Sequence, residues 1–259
     1  MINNHSKDLA PERLDKIAQI LRERHVVRVQ ELCDSMAVSP ATIRRDLTEM
    51  ESRGLIRKVH GGAVSVDPRL EEPLFDEKAA VNADEKHRIA RAALELISPT
   101  DTVFLDGGST ILVLAGMLSE MKQLTVVTNS LRIASALSGS GPRVIVVGGE
   151  LRSLSQTFVG PLTGLMLKNL NVDTAFMGTI GLSAAKGLTT TDPREAYTKQ
   201  QVMENAHRVV LMADSSKLGA ISFIGFGRID DVDTLITDSG ADKRELQAFK
   251  KFHLTILAV

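Results

Sequence analysis

Residues 38–64 read VSPATIRRDLTEMESRGLIRKVHGGAV, and this stretch decides the fold of the N-terminal part of the chain. Ser39 suits a helix N-cap because its hydroxyl can accept a first-turn backbone N–H, and Pro40 suits the first helical position. Gly54 stands where a left-handed residue commonly ends a helix. One apolar face follows the helical period, formed by Ile43, Leu47 and Met50. The pattern predicts a helix between Ser39 and Gly54.

Two shorter amphipathic segments precede this helix, and a basic segment follows it. Residues 13–24 and 29–36 each place apolar side chains on one helical face, and residues 37–38 make a tight turn into the third helix. Residues 55–64 predict two short strands around Gly61-Gly62. The order is that of a helix-turn-helix followed by a wing.

The polar flanks of the third helix and the wing carry groups that bind DNA. Arginine can pair bidentately with guanine, and hydroxyl side chains can bond phosphates or base edges. A helix-turn-helix can also be a plain packing motif, and paired arginines are often a solvated face. DNA binding is favoured because cap, register, turn, arginine pair and wing agree. The predicted contacts are Ser39, Ala41, Thr42, Arg44, Arg45, Thr48, Arg57, Lys58, His60 and Gly61.

The run VSPATIRRDL at 38–47, with Gly54 and HGGA at 60–63, resembles the N-terminal signature of the DeoR family of bacterial transcriptional regulators. The resemblance implies a winged helix-turn-helix that acts as a repressor. It also implies a C-terminal, Rossmann-like sensor domain similar to sugar-phosphate isomerases, which binds a phosphorylated sugar.

Composition limits the partners and cofactors. The net charge of −1 over 259 residues gives no global attraction to nucleic acid. Residues 1–65 hold eleven Lys and Arg against nine Asp and Glu, so we expect a homo-oligomer, a dimer or tetramer, to multiply the phosphate contacts. One cysteine, Cys33, excludes an internal disulfide. Six scattered histidines and the lack of a Gly-x-Gly-x-x-Gly motif predict no metal and no cofactor.

The chain divides into two predicted domains. Residues 1–65 are the DNA-binding domain, residues 66–84 a linker broken by prolines and charges, and residues 85–259 an α/β sensing domain. No signal peptide or long apolar run is visible, which predicts a cytoplasmic protein without a membrane partner.

Seven apolar runs predict strands of an open, mostly parallel sheet, with helices between most of them. They span residues 102–105, 124–128, 143–147, 174–177, 209–213, 234–237 and 254–258. Ligands bind beyond the carboxyl ends of such strands. The predicted ligand-binding residues follow the strands or precede the next helix: Asp106, Gly107, Gly108, Ser109, Thr110, Thr128, Asn129, Ser130, Gly149, Gly178, Glu195, Lys199 and Lys217.

Residues 107–110 are the best phosphate site, because glycines permit close approach and the next helix directs free N–H groups at an anion. An ordinary strand-to-helix turn is the alternative. Within the resemblance, the loop is similar to the phosphate-binding Gly-Ser-Thr loop of sugar-phosphate isomerases. Asp106 is expected either to accept hydrogen bonds from sugar hydroxyls or simply to cap the next helix. Lys217 neutralises phosphate or is a solvated loop lysine, and the DeoR family has a segment similar to residues 214–217.

Glu195 and Lys199 are four residues apart, so they form an intrahelical ion pair or lie near the ligand. The leading hypothesis is a transcriptional repressor of a sugar-metabolism operon, controlled by a phosphorylated sugar. One alternative is a sugar-phosphate isomerase with an accessory DNA-binding domain; another is a DNA-binding module whose C-terminal domain only oligomerises. No enzymatic activity is expected, because residues 178–181 read GTIG where those isomerases carry an acidic segment.

Overall fold

The computed structural model describes residues 10–24, 26–59, 61–65 and 72–259. Two compact units divide between Glu71 and Glu72. No helix among these described residues is long and apolar enough to cross a bilayer.

The first unit consists of three helices and a small sheet. The helices are α1 (Ala10–Arg24), α2 (Val29–Met36) and α3 (Pro40–Ser52), and the strands are β1 (Val26–Arg28), β2 (Ile56–Val59) and β3 (Gly62–Ser65). The antiparallel strand order is β1-β3-β2. The predicted helix-turn-helix and wing are confirmed. Strand β1 was not predicted, because three residues are too few to show a two-residue period.

Backbone geometry at two residues explains where the helices of this unit end. Ala37, between α2 and α3, has a φ of +53°, and Gly54, just after α3, has a φ of +73°. Ser39 caps α3 by accepting a hydrogen bond from the Thr42 N–H at 3.2 Å. The buried apolar face of α3 packs against α1, α2 and the sheet. A local sequence signal therefore sets each end of α3.

The second unit contains a seven-stranded, fully parallel sheet, which confirms the predicted α/β class. Its strand order is β15-β14-β12-β9-β4-β5-β6. The strands are β4 (Thr102–Leu105), β5 (Thr125–Thr128), β6 (Arg143–Val146), β9 (Val172–Met177), β12 (Ala206–Met212), β14 (Thr234–Thr237) and β15 (Thr255–Ala258). Separate apolar clusters pack on the two faces of the sheet, as continuous apolar strands require.

Two helices precede the first of these strands, and five lie between later strands. They are α4 (Phe75–Ala80), α5 (Ala83–Leu94), α6 (Ser109–Met117), α7 (Leu131–Leu137), α8 (Pro161–Leu167), α9 (Pro193–Glu204) and α10 (Lys243–Phe249). Two small antiparallel sheets were not predicted. One is the hairpin of β7 (Glu150–Arg152) and β8 (Thr157–Val159), and the other contains β10 (Gly181–Ser183), β11 (Gly187–Thr190) and β13 (Ile224–Gly227).

The linker predicted for residues 66–84 extends too far toward the C-terminus. Residues 72–84 belong to the second unit, where Phe75 is buried at the start of α4 and the Glu72 carboxylate is enclosed. Helix α4 has only six residues, so its sequence shows no full helical period. Residues 66–71 lie outside the described part of the chain.

Candidate functional site

The outer face of α3 is polar and exposed. Ala41, Arg44, Arg45 and Thr48 are exposed, whereas the side chains between them pack inward. The guanidinium groups of Arg44 and Arg45 form no hydrogen bond or ion pair with any residue that the structure describes. Both charges are therefore available to a phosphate or a base edge.

The wing presents fewer available charges than the sequence suggests. Lys58 Nζ lies 3.1 Å from Glu51 Oε2 and donates to Thr48 Oγ1 at 3.1 Å. The Lys58 backbone N–H donates to Glu51 at 2.8 Å and is the largest cause that lowers the pKa of that carboxyl. Arg57 and Gly61 are exposed. His60 lies outside the described residues.

A buried ion pair links α1 to α3. Arg13 Nε donates to Asp46 Oδ2 at 2.5 Å and Arg13 Nη2 donates to Asp46 Oδ1 at 2.9 Å. Both side chains are at least 89 % buried, since their exposed fractions are 11 % and 4 %. Asp46 directly follows Arg45, so the pair fixes the rotation of α3 that turns Arg44 and Arg45 outward. Sequence reasoning did not find this pair.

In the second unit a cavity of about 190 Å³ lies at the carboxyl ends of β4, β9 and β12. This volume is below the 300–1,000 Å³ or so that is typical of sites for drug-sized ligands. Eight of the predicted ligand residues line it: Gly107, Gly108, Ser109, Thr110, Gly178, Glu195, Lys199 and Lys217. The structure thus brings together side chains that are up to 110 positions apart in the sequence.

The loop after β4 directs the start of α6 at the cavity. Gly108 is the N-cap of α6, and the Leu112 N–H donates to the Gly108 carbonyl at 2.9 Å. The N–H groups before Leu112 have no acceptor within the helix. Ser109 and Thr110 also line the cavity. The positive end of a helix and two hydroxyls therefore face the same space, an arrangement that suits an anion.

The two glycines of this loop differ in the space that a side chain would have. A Cβ on Gly107 would lie 2.0 Å from Thr157 Cγ2, whereas a Cβ on Gly108 would meet nothing closer than Ile111 at 3.7 Å. Gly108 has a φ of −179°, which any residue can adopt. Packing against β8 requires Gly107, while Gly108 leaves open space that a ligand can occupy.

Alanine at each position separates these two requirements. Gly107→Ala is expected to destabilise the second unit by about 1–3 kcal/mol through overpacking. Gly108→Ala is expected to keep its stability within about 0.5 kcal/mol but to weaken phosphate binding. Thermal unfolding and calorimetric titration with inorganic phosphate measure both effects. Equal destabilisation by the two variants would contradict the assignment.

Two lysines bring positive charge to the cavity. Lys217 lines it, and the Lys217 ammonium forms no hydrogen bond or ion pair with the described residues. Lys86 is 5 % exposed and donates to the carbonyl oxygens of Lys78 and Val81. Burial lowers the pKa of Lys86, and Lys217 and Lys78 lower it further, although Asp214 acts in the opposite direction. An anion in the cavity would relieve this repulsion.

Asp106, Glu195 and Lys199 meet at the other side. The Lys199 ammonium binds the Asp106 carboxylate and donates to the Gly178 carbonyl at 3.1 Å. Of the two alternatives for Glu195 and Lys199, the intrahelical ion pair is not formed, and both residues line the cavity. Burial opposes the charged form of Lys199, but Asp106 and Glu195 outweigh it and raise its pKa. Asp106 also accepts the Gly178 N–H at 2.9 Å, so it positions Lys199 and does not cap α6.

Glu72 anchors the first segment of the second unit. Its carboxylate is 1 % exposed and lies 2.7 Å from both Lys78 Nζ and Arg152 Nη2, and it accepts from Thr191 at 2.7 Å. Burial would raise the pKa of Glu72, but Lys78, Thr191 and Arg152 together lower it. Arg152 also contacts Asp192 at 3.3 Å. Arg152 therefore serves this ion network.

Five predicted ligand residues do not line the cavity: Asp106, which binds Lys199, and four others. The Thr128 hydroxyl donates to Leu105 O at 2.7 Å, and Asn129 Nδ2 donates to Phe158 O at 2.9 Å. Ser130 caps α7. Gly149 is required by packing, because a Cβ there would lie 2.0 Å from Thr163 Oγ1. Contacts within the unit, which the local sequence does not show, occupy these polar groups except Asn129 Oδ1, which is buried without a hydrogen-bond partner among the described residues.

Other lining residues were missed. They include Glu72, Lys78, Asn82, Lys86, Thr179, Thr190, Asp214 and Ser216. Four of these eight come from residues 72–86, whose charges resemble those of an ordinary solvated segment. The Asp214-Ser215-Ser216-Lys217 run is the one signal that pointed to any of them. No cluster of three metal-ligating side chains occurs within the described ranges.

Comparisons with known proteins match both units. Residues 13–69 match the DeoR-like helix-turn-helix domain, and residues 81–239 match the DeoR C terminal sensor domain. The chain is 38 % identical to the HTH-type transcriptional regulator GlpR of Haloferax volcanii, over 92 % of this chain and 94 % of that protein. It is 33 % identical to the glycerol-3-phosphate regulon repressor of Escherichia coli K12, over 95 % and 97 %.

Among solved structures, the chain is similar to ribose 5-phosphate isomerase A of Methanocaldococcus jannaschii. The TM-score is 0.40 and the identity 18 %, over 52 % of this chain and 54 % of that one.

Proposed function

The chain belongs to the DeoR family of transcriptional regulators, and we propose that it represses a sugar-metabolism operon until a phosphorylated sugar binds its second unit. The observation that carries this proposal is the cavity that contains the N-terminus of α6 together with Lys86 and Lys217. Family membership makes the isomerase alternative unnecessary, since DeoR proteins are regulators.

The phosphate is proposed to bind at the start of α6. The backbone N–H groups and hydroxyls of Ser109 and Thr110 supply donors, and the helix dipole favours a dianion. Lys217 has no competing partner among the described residues, and Lys86 is repelled by its lysine neighbours. The same end of the cavity therefore gains electrostatically when a phosphate enters.

The sugar is proposed to bind toward Glu195 and Lys199. Both side chains are 5 % exposed and line the cavity. A carboxylate accepts hydrogen bonds from hydroxyl groups, and an ammonium group donates hydrogen bonds to hydroxyl oxygens. The arrangement supports a small polyhydroxylated ligand that carries one phosphate. No cofactor or metal takes part in the proposal.

The first unit is proposed to bind a double-stranded operator through the outer face of α3, with the wing beside the phosphates. A weakly basic unit gains affinity when two copies bind two half-sites, so we propose a homo-oligomer, a dimer or tetramer. The effector acts by preferring one arrangement of the DNA-binding units over another, which is a coupling free energy between the two sites.

A gel-shift titration tests the proposal. Purified chain is titrated against duplex fragments upstream of sugar-metabolism operons, with and without a panel of sugar phosphates. We expect one fragment to shift in the nanomolar range that is typical of specific binding, and one sugar phosphate to reverse the shift. If no duplex is bound, the regulator proposal fails; if binding is unaffected by every phosphate, the C-terminal unit only oligomerises.

Arg44→Ala is expected to weaken operator binding by about 1–3 kcal/mol, because a base or phosphate contact is lost. Arg228→Ala is the matched control, since Arg228 is an exposed arginine of the second unit and its removal takes away the same charge. Fluorescence anisotropy with a labelled operator gives both affinities. The control should keep the wild-type affinity. Wild-type operator affinity in the Arg44 variant would exclude Arg44 from the interface.

A further inference from the structure

The cavity contains two distinct electrostatic environments. The charges that act on Lys86 are Asp214, Lys217, Lys78 and Glu85. Those that act on Lys199 are Asp106, Glu195 and Glu72. With Lys86 itself, the first set contains three ammonium groups and two carboxylates, whereas the second sets three carboxylates around Lys199; the Lys78–Glu72 ion pair joins the two sets. A ligand with one charged end therefore has a preferred direction in the cavity.

Glu195 is the carboxylate of the second environment with hydrogen-bonding capacity left over. Its Oε2 accepts from the Thr190 hydroxyl at 2.8 Å. Its Oε1 lies 3.9 Å from Arg152 Nη1, which is too long for a hydrogen bond, and accepts none from any other described residue. Glu195 is 95 % buried, because its exposed fraction is 5 %, and it lines the cavity.

The two nearby cations, Lys199 and Arg152, are mainly bound to other carboxylates. The Lys199 ammonium is bound to Asp106 and to the Gly178 carbonyl. Arg152 is bound to Glu72 and Asp192 and is not one of the residues that line the cavity. Arg152 Nη1 has no hydrogen-bond partner among the described residues and lies 3.9 Å from Glu195 Oε1, but Arg152 stands behind the lining. Glu195 Oε1 is therefore the acceptor with free hydrogen-bonding capacity on the lining at this end.

We propose that Glu195 reads the end of the effector remote from the phosphate and selects a neutral hydroxyl there over a carboxylate. The ligand class is then a phosphorylated polyol or sugar, and phosphorylated sugar acids are excluded. This inference rests on the proposed function, because it takes the phosphate to bind at α6, Lys86 and Lys217.

The selection has a simple physical basis. A hydroxyl donates its proton to Glu195 Oε1 and satisfies a buried charged acceptor, and hydrogen bonds to charged groups are the strong ones. A carboxylate in the same place has no proton to donate at neutral pH. It would set two negative charges side by side in a site of low dielectric constant, where such repulsion is strong.

Isothermal titration of the full chain with matched ligand pairs tests the inference. Glucitol 6-phosphate and 6-phosphogluconate differ only at the terminal carbon, as do ribitol 5-phosphate and 5-phosphoribonate, and glycerol 3-phosphate and 3-phosphoglycerate. Inorganic phosphate is titrated as the common fragment. In the wild-type chain we expect the neutral member of the best-bound pair to bind roughly tenfold or more tightly than its acid.

Glu195→Gln keeps the shape and the Thr190 contact but removes the charge, and is expected to reduce this ratio at least several-fold, chiefly by improving binding of the acid. Glu120→Gln is the matched control, because Glu120 is exposed and outside the cavity lining; its ratio should stay at the wild-type value. Thermal unfolding checks that each variant is folded. The affinity ratios of the wild-type chain test the selection even if a variant fails to fold.

The outcomes separate the two proposals. If inorganic phosphate binds but no pair is discriminated, or the acids bind more tightly, the selection by Glu195 is wrong and the proposed function stands. An unchanged ratio in a folded Glu195→Gln variant also overturns the selection. If neither inorganic phosphate nor any pair binds, the proposed function fails and this inference fails with it.

Discussion

Asp46→Ala is expected to destabilise the N-terminal unit by about 3–5 kcal/mol, because it leaves the Arg13 guanidinium buried without its carboxylate. The two hydrogen bonds of this bidentate ion pair, at 2.5 and 2.9 Å, would be lost. A loss of this size is a large part of the free energy of unfolding of a small domain. Operator binding should therefore disappear, while inorganic phosphate binding by the second unit persists.

Denaturant unfolding followed by circular dichroism measures this loss. Asp34→Ala is the matched control, since Asp34 is exposed on α2 and its removal should change stability by no more than about 0.5 kcal/mol. The double variant Arg13→Met with Asp46→Leu removes both charges and should recover much of the stability. A loss below about 1 kcal/mol in Asp46→Ala would show that the pair does not hold α1 to α3.

Lys217→Met is expected to weaken phosphate and sugar-phosphate binding by about 2–3 kcal/mol, or roughly 30- to 150-fold, because a cation facing the anion is lost. Stability should change little, since Lys217 makes no ion pair within the described chain. Lys122→Met, on the exposed surface away from the cavity, is the matched control. Calorimetry with inorganic phosphate measures both variants, and wild-type affinity in Lys217→Met would place the phosphate elsewhere.

The first unit was predictable because its signals are local. The Ser39 cap, the Gly54 terminus and the apolar register of α3 lie within sixteen consecutive residues, and each signal acts over one or two helical turns. Asp46 was not identified, because an aspartate beside two arginines on a helix resembles a solvated residue. Its partner Arg13 lies 33 positions earlier, and no short-range pattern connects the two.

The second unit was predictable in its sheet and in one side of its site. The loop 107–110 follows a strong strand signal and precedes a helix, so its position at the carboxyl edge could be inferred. The same rule placed Thr128, Asn129 and Ser130 in the site. These three residues do not line the cavity. The hairpin of β7 and β8 packs on that strand end and bonds Asn129, while Thr128 donates to Leu105 O and Ser130 caps α7.

Much of the remaining cavity lining depends on tertiary packing that the sequence does not display. Glu72 and Lys78 lie in a segment of prolines and charges that was predicted to be a linker up to residue 84, and Lys86 follows it at the start of the predicted sensing domain. Their roles depend on contacts with Arg152, Thr191 and backbone carbonyls. Only the folded arrangement shows that these charges are enclosed rather than solvated.

The central claim is that phosphate binding in the second unit controls operator binding by the first. It is tested most directly by anisotropy of a labelled operator while the sugar phosphate that binds most tightly is added. We predict that the wild-type complex dissociates at ligand concentrations near the calorimetric dissociation constant, and that Lys217→Met needs roughly 30- to 150-fold more ligand. Release at the same concentration in both proteins, or none in the wild type, would contradict the account.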